Sequence, residues 1–112
     1  MAALAATTVA TLGGLTDLAG AAVAATALGD TAPTGPGLVL AVINGGAATR
    51  TATIATPGTV NGHAIADATL AVPAGKTGLI PLTNLFRGAS DRAAITYDAV
   101  TSVTVAVLKL GA

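Results

Sequence analysis

The chain has 112 residues, of which 53% are hydrophobic and only 9% are charged, and its formal net charge is zero. A chain of this length supports one domain built around one core. Five lysines and arginines are too few to neutralise a phosphate backbone, which argues against a nucleic-acid partner, and the absence of cysteine excludes disulfides and thiolate metal sites.

The first 30 residues carry two conflicting patterns. Apolar residues recur at helical spacing, with Thr16 as a possible cap, whereas Gly13, Gly14 and Gly20 oppose a long helix. The residues at helical spacing are Leu15, Leu18, Ala22, Ala25 and Leu28. We predict an extended N-terminal arm over residues 1–30, with one short strand near residues 4–11 and another near residues 22–27.

Targeting features are absent from this part of the sequence. The first basic residue is Arg50, so the N-terminus lacks the positive region of a signal peptide. The longest apolar run, residues 18–28, is too short to span a bilayer. We expect a soluble protein made in the cytoplasm, with no membrane partner.

From residue 31 onward, turn chemistry interrupts the sequence at short intervals. This spacing is typical of an antiparallel sandwich or barrel. The turn segments are residues 33–37, 44–46, 57–58, 61–62, 73–75, 81 and 88–91. We predict one β-sandwich domain over residues 31–112, immunoglobulin-like or jelly-roll-like, with about seven or eight short strands and the arm attached.

The first two predicted strands differ in pattern. Residues 38–43 are apolar on both faces, which suits a central strand covered by the core on one side and by a partner or second layer on the other. Residues 49–55 alternate, with Ala52 and Ile54 inward and Thr51 and Thr53 outward. The intervening Asn-Gly-Gly segment predicts a hairpin over residues 38–55.

Four further strands are predicted after this hairpin. They cover residues 68–72, 77–82, 92–98 and 103–110, and the tight corner at residues 73–76 separates the first two. The last strand is apolar on both faces, so it is either central or part of an interface.

Composition also predicts association. A quarter of the residues are alanine, Phe86 and Tyr97 are the only aromatic residues, and the mean hydropathy is +0.78. A core filled by methyl groups buries little area for each ordered residue, and a surface with few charges does not oppose self-association. The alternative is a compact monomer with a surface of threonine, alanine and glycine.

The sequence contains fragments that resemble cofactor-binding or metal-binding motifs, but these motifs are incomplete. Gly75-Lys76-Thr77 resembles the end of a phosphate-binding loop, but Leu70 stands where that motif needs its first glycine. His63 is the only histidine and has too few neighbouring ligands for a metal site within one chain. We interpret these segments as a β-turn with a solvated lysine and a surface histidine.

Nucleophilic and acid–base chemistry is equally unsupported. Neither Ser90 nor Ser102 lies in a Gly-x-Ser-x-Gly elbow. Asp91 and Asp98 could form a carboxylate pair, but Asp91 beside Arg92 is more typical of a turn or a surface ion pair. We predict that the protein is not an enzyme and binds no cofactor and no metal.

The order of elements over residues 29–110 resembles small β-sandwich virion proteins encoded beside the major capsid protein of tailed phages, the capsid decoration or cement proteins. The likeness rests on short segments in a fixed order. They are Gly29-Asp30-Thr31, the glycine-rich loop into residues 38–43, Asn44-Gly45, Val72-Pro73-Ala74-Gly75, and Ile95-Thr96-Tyr97 ahead of residues 103–110. The sequence departs from the family pattern at Pro81-Leu82 and at Ser90-Asp91-Arg92.

The resemblance implies a structural role on the outer surface of a capsid. It implies binding to the major capsid protein and to neighbouring copies, most simply as a homotrimer. The polar loop at residues 87–92 and the doubly apolar last strand supply the candidate interface. Its residues are Arg87, Asp91, Arg92, Val103, Val105, Val107, Leu108 and Leu110.

Two other functions remain open from sequence. One is an immunoglobulin-like adhesion or carbohydrate-binding module, although sugar platforms normally need exposed aromatic rings and this chain has two aromatic residues. The other is a different structural component of a phage head or tail.

Overall fold

Two five-stranded sheets pack face to face in the computed structural model. The structure describes residues 2–9, 13–15, 18–56, 59–64, 66–83, 86–88 and 92–110. Within these residues lie twelve strands and one helical turn. They are β1 (Ala2–Ala3), β2 (Ala6–Val9), α1 (Leu18–Ala21), β3 (Val23–Ala24), β4 (Asp30–Pro33), β5 (Leu38–Asn44), β6 (Arg50–Ile54), β7 (Thr59–Val60), β8 (His63–Ala64), β9 (Ala68–Val72), β10 (Thr77–Pro81), β11 (Arg92–Tyr97) and β12 (Val103–Leu110).

The strands divide between the sheets without following chain order. Sheet A has the order β1-β4-β11-β6-β9, and sheet B has the order β10-β5-β12-β2, with β3 pairing β12 beside β2. A small hairpin, β7–β8, stands apart from both sheets. The described strand pairs are antiparallel except for β1 with β4 and β2 with β12, which are parallel.

The predicted all-β, mainly antiparallel sandwich is confirmed. Eight of the strands have four residues or more, in line with the expected number, and the other four are two-residue segments. The last five predicted strands lie within two residues of their expected ends at β6, β9, β10, β11 and β12. Sequence reasoning missed β4 because its buried Asp30 and its terminal Pro33 resemble turn residues.

The core lies between the sheets and follows the pleat of each strand. Inward positions of β6 and β11 are buried, as predicted for Ala52 and Ile54, and the inward valines of β12 are buried opposite them. The largest fully buried apolar side chains are Leu40, Ile54, Leu82, Ile95, Val42, Val72, Val105 and Val107.

The predicted hairpin over residues 38–55 is wrong. β5 lies in sheet B and β6 in sheet A, so the Asn-Gly-Gly segment crosses between the sheets. Asn44 holds this crossing: its side-chain amide donates to the carbonyl oxygens of Val72 (2.9 Å) and Ala48 (2.7 Å), and its Oδ1 accepts from the N–H of Gly46 (3.0 Å). All the hydrogen-bonding groups of the Asn44 side chain therefore have partners, and these bonds hold the crossover between the sheets at the place where the sequence predicted a hairpin.

The corner at residues 73–76 is confirmed and also crosses between sheets, from β9 to β10. The N–H of Lys76 donates to the carbonyl oxygen of Pro73 at 3.1 Å, and Gly75 has a φ of +73°. This is a β-turn that needs glycine at its third position. The exposed Lys76 therefore belongs to a turn, as the sequence indicated.

The N-terminal arm contains short strands near the two predicted places, β2 and β3. The helical alternative survives only as the single turn α1. Ala25 is buried in the main core, whereas the Leu28 side chain is 79% exposed, so the two do not share a helix face. Thr16, the possible cap, lies outside the described residues.

Candidate functional site

The apolar part of the predicted interface lies inside the chain. Val103, Val105 and Val107 belong to the main core, and Leu108 is buried on the opposite face of β12. These four side chains are covered by their own chain and are not available to a partner in this conformation. Leu110, at the end of the strand, is 50% exposed.

The polar part of the predicted interface is divided. Arg87 is exposed, and Asp91 lies outside the described residues. Arg92 is half-buried, and its guanidinium donates to the Leu4 carbonyl oxygen, to the Thr31 carbonyl oxygen (3.2 Å) and to the Thr31 hydroxyl (3.1 Å). Arg92 therefore ties the arm to β4 in this structure, a role that sequence reasoning did not foresee.

The outer face of sheet B carries aliphatic side chains across adjacent strands. Strand register places Leu79 of β10 beside Ala41 of β5 and Ala41 beside Ala106 of β12. No charged side chain points outward from the described residues of β2, β5, β10 and β12, because Lys109 alternates to the other side. We call this surface the aliphatic face; it consists of Val39, Ala41, Ile43, Leu79, Ala106, Leu108 and Leu110.

The chain's own arm covers the middle of the aliphatic face. Leu15, Leu18 and Ala22 pack against the cluster formed by Ala41, Ala106 and Leu108. The sequence predicted cover by a partner or a second layer, and the arm supplies part of that layer. The cover stops short of both borders, where Leu79 is 58% exposed and Leu110 is half exposed.

The outer face of sheet A is different in chemistry. In β6, β9 and β11 the described outward positions hold threonine and alanine, apart from Arg92 at the start of β11. Register aligns Thr69, Thr53 and Thr96 across three strands, and Thr51 on β6 and Thr31 on β4 lie on the same face beside this row. We call these five residues the threonine face.

A cleft of about 480 Å³ separates the arm from the edge of sheet B. It opens where β12 changes partner, because Val105 pairs with Val23 of β3 and Val107 pairs with Ala6 of β2. Alanine and valine side chains dominate its lining, with Leu4 on the arm side. The cleft therefore lacks the convergent polar groups that orient a small polar ligand.

One buried carboxylate lies on the inner side of sheet A. The Oδ2 atom of Asp30 accepts from the hydroxyl of Tyr97 at 2.8 Å and from the N–H of Thr26 at 3.3 Å. Burial, together with this hydrogen bond and the charge of Asp30, raises the pKa of Tyr97 well above its ordinary value of 10.0. The pair joins the start of β4 to the end of β11 and has a structural role.

The other residues considered for chemistry are dispersed. His63 is exposed in the β7–β8 hairpin, and Asp98 accepts backbone N–H groups from Thr51 and Ala99. Among the described residues, no three potential metal ligands come together. In the same part of the chain, no helix has the length and hydrophobicity needed to cross a membrane.

Comparison with protein-family models, with curated proteins and with solved structures found no match to this chain.

Proposed function

We propose that the protein is a structural virion component that decorates and stabilises a phage capsid by binding the major capsid protein shell and neighbouring copies of itself. On this proposal it acts on the outer capsid surface, as a homo-oligomer for which a trimer is the simplest arrangement, and it catalyses no reaction. The support is the resemblance of residues 29–110 together with the geometry of the aliphatic face.

The aliphatic face is the observation that carries the proposal. The outward side of a two-layer sandwich normally faces water and alternates to polar residues. In sheet B the described outward residues are mostly aliphatic and none is charged, with threonine at positions 7, 77 and 104. Leu79 and Leu110 remain exposed at the two borders of the part that the arm covers, and these borders are the surface that we assign to contact with another protein.

The carbohydrate-binding alternative has no supporting contact. Phe86 is buried in the main core. Tyr97 is half-buried, and its hydroxyl is engaged with Asp30. Neither ring offers the open aromatic platform that stacks against a sugar.

The test is co-assembly with the major capsid protein that, on this proposal, is encoded in the same phage genome. Assembled shells are mixed with the purified chain and sedimented through a density gradient, and the wild-type chain should sediment with the shells. Leu79→Asp should reduce the bound fraction at least about tenfold, because a charge would be desolvated in an apolar contact.

Thr69→Asp is the matched control, because Thr69 is an exposed position of the edge strand β9 on the opposite outer face. It should leave shell binding unchanged. A wild-type chain that stays at the top of the gradient would refute shell decoration. Equal loss of binding in the two variants would show that the aliphatic face is not the contact.

A further inference from the structure

Residues 2–9 join both sheets along one side of the sandwich. β1 pairs in parallel with β4, where Ala3 lies opposite Thr31, and β2 pairs in parallel with β12, where Thr8 lies opposite Lys109. Between the two strands, the N–H of Leu4 donates to the carbonyl oxygen of Thr31 at 2.7 Å. One short segment therefore occupies an edge of each sheet.

Leu4 is the main side-chain anchor of this segment. It is 5% exposed and belongs to the main core, whereas Ala5 and Thr8 are exposed. The Arg92 guanidinium binds the Leu4 carbonyl oxygen from the body of the domain, and the half-buried Val9 packs on the outer face of sheet B. Strand hydrogen bonds add contacts that recognise an extended backbone and do not depend on which molecule supplies it.

The residues that follow this segment, which we call the tether, allow the chain to change direction and place the segment on a second copy. Gly13 and Gly14 are exposed, no atom lies within 4 Å of a side chain built at either, and Gly14 has a φ of +67°. The cleft of about 480 Å³ is lined by Ala3, Ala5 and Thr7, so these side chains of the segment are not closely packed on that side. Leu15 packs on the aliphatic face, and the stretch from Val9 to Leu15 spans at most about 20 Å, which limits redirection of residues 2–9 to an adjacent copy.

We propose that residues 2–9 exchange between copies of this chain. The acceptor groove consists of the edges of β4 and β12 that β1 and β2 occupy here, the pocket of Leu4 and the guanidinium of Arg92, and it takes residues 2–9 of a second copy in the same register. Residues 2–9 make the same contacts whether they bind their own chain or a second copy. Protein concentration and the length of the tether therefore determine which of the two forms is more populated. The inference needs only the chain itself and stands apart from shell binding.

The experiment uses single-cysteine variants, because the natural chain has no cysteine. Thr8 and Lys109 are both exposed and are register partners on adjacent strands, at a spacing that a disulfide spans. Thr8→Cys and Lys109→Cys chains of different mass are unfolded together in urea, refolded together at high concentration and oxidised. Heterodimer is then measured by mass on a non-reducing gel.

Lys76→Cys replaces Lys109→Cys in the matched control, because Lys76 is an exposed lysine on the β9–β10 corner, away from the acceptor edges. An exchanged arm holds two sulfurs at neighbouring positions and raises their effective concentration to about the millimolar range. The Thr8→Cys and Lys109→Cys mixture should therefore yield at least about ten times more heterodimer than the control mixture. Equal yields from the two mixtures would overturn the proposal.

Three further variants separate exchange from other association. A single chain carrying both Thr8→Cys and Lys109→Cys should close its own disulfide in dilute solution, and failure to do so would show that the arm does not dock on β12. Adding Leu4→Asp to the Thr8→Cys chain should abolish the excess heterodimer, whereas Ala5→Asp, at an exposed neighbour, should preserve it. Loss of the excess with Ala5→Asp as well would contradict the assigned anchor.

Discussion

The outer faces of the two sheets differ although the sheets share one core. Sheet A presents the threonine face, whose side chains carry hydroxyl groups, and sheet B presents the aliphatic face, whose middle is covered by the arm. The inner faces are alike, with buried aliphatic residues on both. The difference teaches that the shared core does not explain the aliphatic face. The arm explains its covered middle, and on our proposal contacts with other chains explain its exposed borders.

The comparison is sharpest for two leucines in neighbouring strands of sheet B. Leu40 points inward and is fully buried, whereas Leu79 points outward and is 58% exposed. Leu40→Ala should lower the free energy of unfolding by about 3 to 4 kcal/mol, since it leaves a cavity in a packed core. Leu79→Ala should lower it by less than about 0.5 kcal/mol.

Urea unfolding of both variants followed by circular dichroism measures these two changes. Similar losses of stability would mean that Leu79 is buried within the chain, and the aliphatic face would then be part of a folded layer.

A second test concerns the crossing that joins the sheets. Asn44→Ala should lower the free energy of unfolding by about 2 to 3 kcal/mol, because the buried carbonyl oxygen of Val72 and the N–H of Gly46 lose their partner. Asn61→Gly is the control, since Asn61 is exposed with a φ of 52° that glycine adopts readily. It should change stability by only a few tenths of a kcal/mol.

Denaturant midpoints of the two asparagine variants provide the comparison. A neutral Asn44→Ala variant would show that the crossover is held by its backbone alone.

A third test addresses the inner side of sheet A. Tyr97→Phe should lower the free energy of unfolding near neutral pH by about 1.5 kcal/mol, because the buried Asp30 carboxylate loses a donor. The pKa of Tyr97 is raised in the folded state, so its stabilising contribution is complete below the unfolded value of about 10 and is lost as pH rises beyond it.

Unfolding curves between pH 7 and pH 11 should therefore show the gap between wild type and Tyr97→Phe narrowing only above about pH 10. Tyr97 is the only tyrosine, and both proteins carry the same lysines, so the difference isolates this group. A gap that stays constant up to pH 11 would contradict the assigned hydrogen bond.

The strands were predictable because local patterns determine them, whereas the pairing of strands was not. Alternation correctly placed Ala52 and Ile54 inward. The Asn-Gly-Gly segment indicated a turn, but the choice between a hairpin and a crossover depends on the bond from Asn44 to Val72, 28 residues away.

The candidate interface shows the same division. The sequence identified β12 as apolar on both faces but could not show that Leu15 and Leu18 fold back over Leu108. Arg92 was selected for its polar loop, and its hydrogen bond to Leu4 spans 88 residues.

The smallest expected change in stability comes from exchanging residue types between the two outer faces. Leu79→Thr on β10 and Thr69→Leu on β9 alter exposed positions in edge strands, so each should change the free energy of unfolding by less than about 0.5 kcal/mol. Their effects on the surface should be opposite: Leu79→Thr should lower the binding of a hydrophobic dye such as ANS and weaken self-association in sedimentation, and Thr69→Leu should raise both. Because folding is nearly untouched, these readouts report on exposed apolar area alone. Equal dye binding by the two variants would mean that the two outer faces do not differ in solution as they do in the structure.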